Sequence, residues 1–451
     1  MKHFAKTGIL TTALLLSACA STPYETPKVP MTASFSHAGL GTDAASPSAN
    51  WWTAFGDPSL NALVSDVLVR NNDLAAAALR GQQAQLQAGL TRLDQLPSAN
   101  GGLSASTSDS TRYSASLGVS YEVDLWGRLA ANSRAANWEA QATEEDRQAT
   151  KLALIGTTAE LYWRIAYTHQ QIMVGEQNLA YAIKVRDIVT IQHDAGAVSG
   201  VELAEADQSV NSQRASLSDL QQQLVEYRSA VTVLLGGTPW SEASEPQTLP
   251  NLPLPEVRAG VPAELLARRP DLRAAELRLR ETLADVDIAR TAFYPGLSLT
   301  ASGGASSSEL GSLFNNPTGS IGAALSLPFL DFPRLSRNVK ISQKSYDIAV
   351  LNFKTTLLQA LADTDNALSN RTQLAEQGAS QAASLEAARK AEALYALRYR
   401  TGAVALRVWL DAQQSLRSSQ LSYDNNRLSQ LINQSTLYQA LGGGFTETAG
   451  K

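Results

Sequence analysis

The sequence holds one cysteine, four histidines and 6% aromatic residues, and its apolar stretches are short. A lone cysteine, Cys19, excludes an internal disulfide. His3 and His37 lie in the N-terminal region. His169 and His193 stand 24 positions apart, which on one helix is about 36 Å, too far for a shared metal. No phosphate-cradling glycine loop, Cys/His cluster or nucleophile elbow is present, so the expectation is a protein that is no enzyme, with no cofactor and no metal. A net charge of −5 lacks the basic excess of a nucleic-acid binder. No apolar run reaches the ~18 residues of a spanning helix.

What the chain has is helix. Gly127 to Ala195 contains no proline, and 206 positions further on Pro333 to Thr401 has only its first residue. Both stretches are rich in Ala, Leu, Gln and Arg, good helix formers, and each would extend roughly 100 Å. A single compact core has no use for two such rods, whereas a tube built from several chains does. The N-terminus reads as an export signal, with Lys2 and Lys6 ahead of the short apolar run Ile9 to Leu16. Leu16-Ser17-Ala18-Cys19 resembles a bacterial lipobox. That implies a signal peptide of residues 1–18 and a lipid on Cys19, and Ala20 in place of Asp favours the outer membrane.

Residues 19–57 read as a lipidated tether, Pro-, Ser- and Thr-rich, closing on Trp51-Trp52. A helix is expected over Pro58 to Leu96. From about 98 to 125 the period changes to two. Tyr113, Ala115, Leu117, Val119, Tyr121 and Val123 fall on one face, and Arg112, Ser114, Ser116, Gly118, Ser120 and Glu122 on the other. That is a strand of membrane-spanning length, in a hairpin turning at 106–111. The first rod, about 127–195, ends before Gly196, and a helix over 199–235 stops at Gly236-Gly237. After a Pro-rich linker, 238–261, the pattern recurs: a helix over 262–293, a hairpin at about 296–330, a rod at about 333–401, a last helix to Gly442, and a tail, 444–451.

The recurrence is an internal repeat, 58–237 and 262–443. Residues 72–97 match 270–295 without gaps at eight of 26 positions, where chance gives roughly two. Beyond the hairpins the offset is 206, and the eight extra residues fall in the second hairpin, where an insertion costs little. The lengths suggest that the 199–235 helix stacks on 262–293 and the last helix on 58–96, each pair matching one rod. Four strands per chain are too few for a barrel. Two chains give a filled eight-strand barrel and three give twelve strands and a lumen, so a trimer is inferred, though other numbers stay open.

Tyr121-Glu122-Val123-Asp124-Leu125-Trp126-Gly127-Arg128, Arg268-Arg269-Pro270-Asp271-Leu272, Tyr399-Arg400-Thr401-Gly402 with Leu410-Asp411-Ala412-Gln413, and Tyr438-Gln439-Ala440-Leu441-Gly442-Gly443-Gly444 resemble junctions of the TolC-like outer-membrane efflux channels. With the lipobox, the chain is most similar to the lipoprotein channels of drug-efflux systems. The resemblance implies an α+β membrane protein: a trimeric 12-stranded barrel in the outer membrane, continued by a helical barrel through the periplasm. It implies a homotrimer with a periplasmic adaptor and an inner-membrane transporter of the resistance-nodulation-division type as partners, alongside outer-membrane lipid. The tunnel would close near the turns, where Asp411 aligns with an acidic constriction residue and Glu205 is its repeat partner. Arg407 stands where relatives often carry a bulky apolar residue. It departs from an apolar plug, and pairing with an acid on a neighbouring chain is one alternative. Gly196, Ala197 and Val198, with Gly402, Ala403 and Val404, would meet the adaptor. The function implied is a passive exit duct. The outer channel of a type I protein-secretion system, and a lipid-anchored periplasmic scaffold without a pore, are the other readings.

Overall fold

The computed structural model describes residues 22–37, 49–107, 110–257 and 262–444, so the signal segment and Cys19 lie outside the described residues. In chain order the elements are α1 (Pro58–Arg70), α2 (Asn72–Leu93), β1 (Ser98–Thr107), β2 (Thr111–Val123), α3 (Arg128–Asp194) and α4 (Gly200–Leu234). Then come α5 (Leu265–Arg268), α6 (Pro270–Thr291), β3 (Gly296–Ser307), β4 (Thr318–Ser326), α7 (Phe332–Arg400) and α8 (Leu406–Ala440). The rods α3 and α7 are single helices of 67 and 69 residues. The chain divides into two compact units. Of the described residues, one gathers those up to 30, 77–147 and 271–357, and the other gathers those of 31–76, 148–270 and from 358 on.

The first unit carries the sheet, antiparallel in the order β1-β2-β3-β4. Its register puts Leu103 opposite Ala115, Tyr121 opposite Leu299 and Ala301 opposite Ile321. Directly paired residues share a face, so one face of all four strands is apolar. The other face is a hydroxyl ladder, with Ser98–Ser120, Ser104–Ser114 and Ser302–Ser320 oxygens 2.7–2.8 Å apart. Every residue of β1 and of β4 is exposed. Among the described residues nothing pairs with the outer edge of either strand. β4 stops at Ser326, before the expected end, because Pro328 has no N–H for a ladder and a 3₁₀ turn takes over at Pro328–Asp331.

The strand-to-rod junction shows what its motif does. The Asp124 carboxylate accepts the Leu129 and Ala130 N–H groups at 3.1 and 2.8 Å and so caps α3. Glu122 receives Arg128 at 2.6 Å. Trp126 stacks on Tyr294 and donates Nε1–H to the Pro295 carbonyl at 2.8 Å. These residues are joints of the fold, tying β2 and α3 to the α6–β3 connection.

The second unit holds the aromatic core. Trp51 stacks on Tyr438, Phe55 packs on Trp163, and Tyr162 donates its hydroxyl to Asp57 at 2.6 Å. Leu60, Leu63, Val64 and Val67 of α1 are at most 1% exposed, worth roughly 6–12 kcal/mol together at the usual value per buried aliphatic side chain. The linker is pinned rather than loose. Buried Glu245 receives Arg228 at 2.8 Å and meets His169 at 2.7 Å. Arg427 donates to the Pro250 carbonyl, Arg371 to those of Pro255 and Val257.

The helix expected over 58–96 is two helices broken at Asn71, and that break corrects the stacking inferred from lengths. Asn71 caps α2 by accepting the Asp73 and Leu74 N–H groups, both at 3.0 Å, and donates to the Leu234 carbonyl at the end of α4. So α4 ends on the α1–α2 joint, not on 262–293. Its repeat equivalent, Arg269, reaches the Ala440 carbonyl at the end of α8, which therefore ends on the α5–α6 joint, not on 58–96. Each repeat closes on itself. A Cβ on Gly236 would lie 2.6 Å from the Arg70 carbonyl oxygen, and one on Gly442 2.6 Å from that of Arg268. Both glycines also hold left-handed backbone, which removes any alternative residue at these joints.

Candidate functional site at the paired helix turns

The sequence singles out two turns, and in the second unit both are built the same way. Gly196 and Gly402 adopt φ of 72° and 73°. The Ala197 N–H reaches back to the Gln192 carbonyl and the Ala403 N–H to that of Arg398, each at 2.8 Å, closing the last turns of α3 and α7. Gly196, Ala197, Gly402 and Ala403 are exposed, and Val198 and Val404 are half-buried. The exits differ. Ser199 and Glu202 form a reciprocal capping box on α4, whereas Ala405 gives α8 no side-chain cap. The Ser199 hydrogen bond holds the Glu202 carboxyl below its ordinary range.

Behind the turns Trp409 is 4% exposed. It stacks on Tyr399, meets Tyr181 edge-on and donates Nε1–H to Glu392 at 2.9 Å. The Tyr399 hydroxyl donates to Gln192 Oε1 at 3.1 Å, linking α7 to α3. Burial pushes the Tyr181 and Tyr399 hydroxyls up. Sequence reading passed over this cluster. Its signal was a lone tryptophan a few residues past a helix turn, with Tyr399 one turn before it.

The three proposed gate residues lie together. Glu205, Arg407 and Asp411 line one cleft of about 280 Å³ with Gln208, Gln414 and Arg417. Arg407 Nη1 stands 3.6 Å from Glu205 Oε1. Within the chain, then, Arg407 has an acid in reach across α8 and α4. Arg407, the second residue of α8, reaches Glu205 on α4, the equivalent helix of the other repeat. Asp411 is exposed. Arg417 donates to Gln414 at 2.8 Å, and burial lowers its guanidinium from the usual value. Charged, amide and hydroxyl groups line the cleft with no nucleophile–base pair among them. Among the described residues no group of side chains could hold a metal, and no helix is long and apolar enough to cross a membrane.

Comparison with known proteins agrees with this construction. The family described as outer membrane efflux protein matches residues 63–237 and 261–443, one segment for each repeat. The pyoverdine export outer membrane protein OpmQ of Pseudomonas aeruginosa is 33% identical over 457 residues, covering 97% of this chain and 96% of OpmQ. The cation efflux system protein CusC of Escherichia coli is 30% identical over 458 residues, covering 96% and 98%. The crystal structure of the Campylobacter jejuni CmeC outer membrane channel superposes with a TM-score of 0.88 at 25% identity, covering 95% of this chain and 96% of CmeC. The sheet, the rods and the doubled turns are those of one family: the chain belongs to the outer membrane efflux proteins, and its place is the outer membrane, reaching into the periplasm.

Proposed function

We propose that the protein is the outer-membrane exit duct of a tripartite efflux pump, assembled from three copies. The observation that carries this is the four-stranded sheet with one apolar face and two unpaired edges. In lipid every backbone polar group needs a partner, so the outer edge of β4 is closed by β1 of another copy. Three copies give twelve strands and an open bore. Helices contiguous with those edges support the same pairing. α2 runs into β1 and exposes Leu79, Leu86 and Leu93, spaced by seven, while α7 follows β4 and exposes Ile341 and Ile348 with the same spacing. A lipid on Cys19 anchors each copy.

The duct is gated at the turns. The α7–α8 hairpin is held to α3–α4 by Arg407–Glu205 and Tyr399–Gln192, and the aromatic cluster around Trp409 keeps the hairpin itself rigid. Three exposed Asp411 carboxylates around a narrow bore favour cations. A periplasmic adaptor meets the turns at Gly196–Val198 and Gly402–Val404, and opening follows if it binds the open form more tightly. The names of OpmQ and CusC point to unrelated cargo, which supports a duct that selects weakly and an inner-membrane transporter that chooses.

The test is single-channel recording of the purified lipoprotein in a planar bilayer. Small, rare, cation-selective openings are expected, with selectivity reduced in Asp411→Asn. Absence of conductance from folded, assembled protein refutes the duct. Cysteines at Ala197 and Ala403 that never capture an adaptor refute the docking assignment.

A further inference from the structure

The first described residues are not a free leash. Asp287, on α6, accepts the Thr22 backbone N–H at 3.1 Å and the Thr22 hydroxyl at 2.6 Å. Arg290, one turn on, donates to that same hydroxyl at 2.8 Å. Asp287 and Arg290 are themselves 4.0 Å apart, and the Asp287 side chain is only 12% exposed. Two residues along, the Tyr24 ring lies 4.6 Å under the Arg280 guanidinium, which also pairs with Glu276 at 2.7 Å and has the Trp138 ring at 5.4 Å. Burial and the Glu276 charge push the Tyr24 hydroxyl up to about 12, as befits a ring seated against a helix. All of these groups belong to the sheet-bearing unit. Between them Pro23 is exposed, as are Glu25 and Thr26.

A segment that had only to be long would need none of this. Ordering an extended chain costs backbone entropy at every residue, and a tether keeps that entropy unless specific contacts outweigh it. The contacts here are charge-assisted at one point and a guanidinium–ring stack at the next, and both come from one helix. We propose that the face of α6 from Glu276 to Arg290 is a dock for the chain's own N-terminal segment, and that this dock, not tether length, sets where the lipid on Cys19 is held. The proposal rests on the reading of Cys19 as the lipidated residue.

Its consequence is geometric. Three residue steps lead from Cys19 to Thr22, and a chain that short spans at most about 10 Å. The lipid is therefore confined to the neighbourhood of Asp287, nine positions before β3 begins at Gly296. The base of the sheet and the anchor are then held at the membrane surface together. The occupant is this chain's own segment 22–30; a neighbouring copy's segment is the alternative that the test separates.

The experiment uses the full-length mature lipoprotein reconstituted in lipid. A lipidated Cys19 leaves no free thiol, so maleimide labelling of the wild type checks the lipidation reading by itself. A nitroxide on Pro23→Cys then reports the dock. A motionally restricted spectrum is expected in the otherwise wild-type protein. Asp287→Ala is expected to shift the released-to-docked ratio at least about tenfold, through the loss of charge-assisted hydrogen bonds. Asp285→Ala, two residues back and so turned away from the Asp287 side of the helix, is expected to leave the spectrum unchanged. Mixing labelled wild type with unlabelled Asp287→Ala chains should leave the label restricted if each segment docks on its own chain. A mobile label in the wild type, or a restricted one in Asp287→Ala, overturns the dock. Release in mixed assemblies overturns the choice of occupant. Maleimide-reactive wild type overturns the lipid consequence while leaving the spectra to decide the dock.

Discussion

Removing Arg407 should make the closed duct leak, and the structure sets the size of the effect. Arg407 and Glu205 stand 3.6 Å apart, with side chains 75% and 24% exposed. A pair this open to water contributes ~0.2–1 kcal/mol, since solvent screens the attraction and ordering a long side chain costs entropy. One such pair is a negligible latch. If three copies open together, the three contributions add to ~0.6–3 kcal/mol, which is about threefold to 150-fold in the open-to-closed ratio. Arg407→Ala and Glu205→Gln should therefore raise open probability by the same factor in planar-bilayer recordings at 0.1 M salt (about a 10 Å screening length). At 1 M salt the screening length is about 3 Å, so the wild type should approach the variants. The swap of Arg407→Glu with Glu205→Arg should restore closure, and either half alone should not. Unchanged open probability in both single variants refutes the latch. Opening in Arg407→Ala but not in Glu205→Gln refutes the partner.

Trp409→Ala should cost about 3–5 kcal/mol per chain in denaturant unfolding, because a buried ring with two aromatic neighbours is lost. Trp409→Phe should cost only about 1 kcal/mol, the bond to Glu392, and equal losses would show that the ring contacts carry nothing. Asn71→Ala should destabilise by about 1–3 kcal/mol, since it uncaps α2 and strands the Leu234 carbonyl; amide exchange should quicken at 73–74, and a variant exchanging like the wild type would refute the joint. Glu281 is pushed up to about 7 by burial and by Glu139 and Asp285. The folded chain holds a proton that the unfolded one releases above about 4.5, so this group lowers stability as pH rises from there through about 7. Glu281→Gln should match the wild type at about pH 5 and exceed it at about pH 8 by about 1 kcal/mol, discounted for solvent screening. A gap that is the same at both pH values refutes the assignment.

The periods of the chain were legible because they are local. A two-residue alternation can only be a half-buried strand, and a proline-free run of good helix formers propagates until a glycine or proline stops it. Both turns ended where Gly196 and Gly402 allow left-handed backbone. The cleft that gathers Glu205, Arg407 and Asp411 was legible too, through the repeat offset that makes Glu205 and Asp411 equivalents. What failed was length matching. Helices of 35 residues have no memory of which other end they meet, and either stacking satisfies the arithmetic.

By itself, then, the sequence determined the two repeats, four strands, two rods and two turns, since each follows from neighbours a few residues apart. Only the tertiary structure decided which ends meet. Asn71 and Arg269 carry the side chains that satisfy the orphan carbonyls at the ends of α4 and α8, and such a partner is recognisable only when the groups are side by side. It likewise gave Arg407 a partner in its own chain and seated Thr22 on Asp287 across 265 residues. Contacts of that range carry no periodicity. They depend on chain closure and on desolvation at a particular surface, and neither is written in the order of the residues alone.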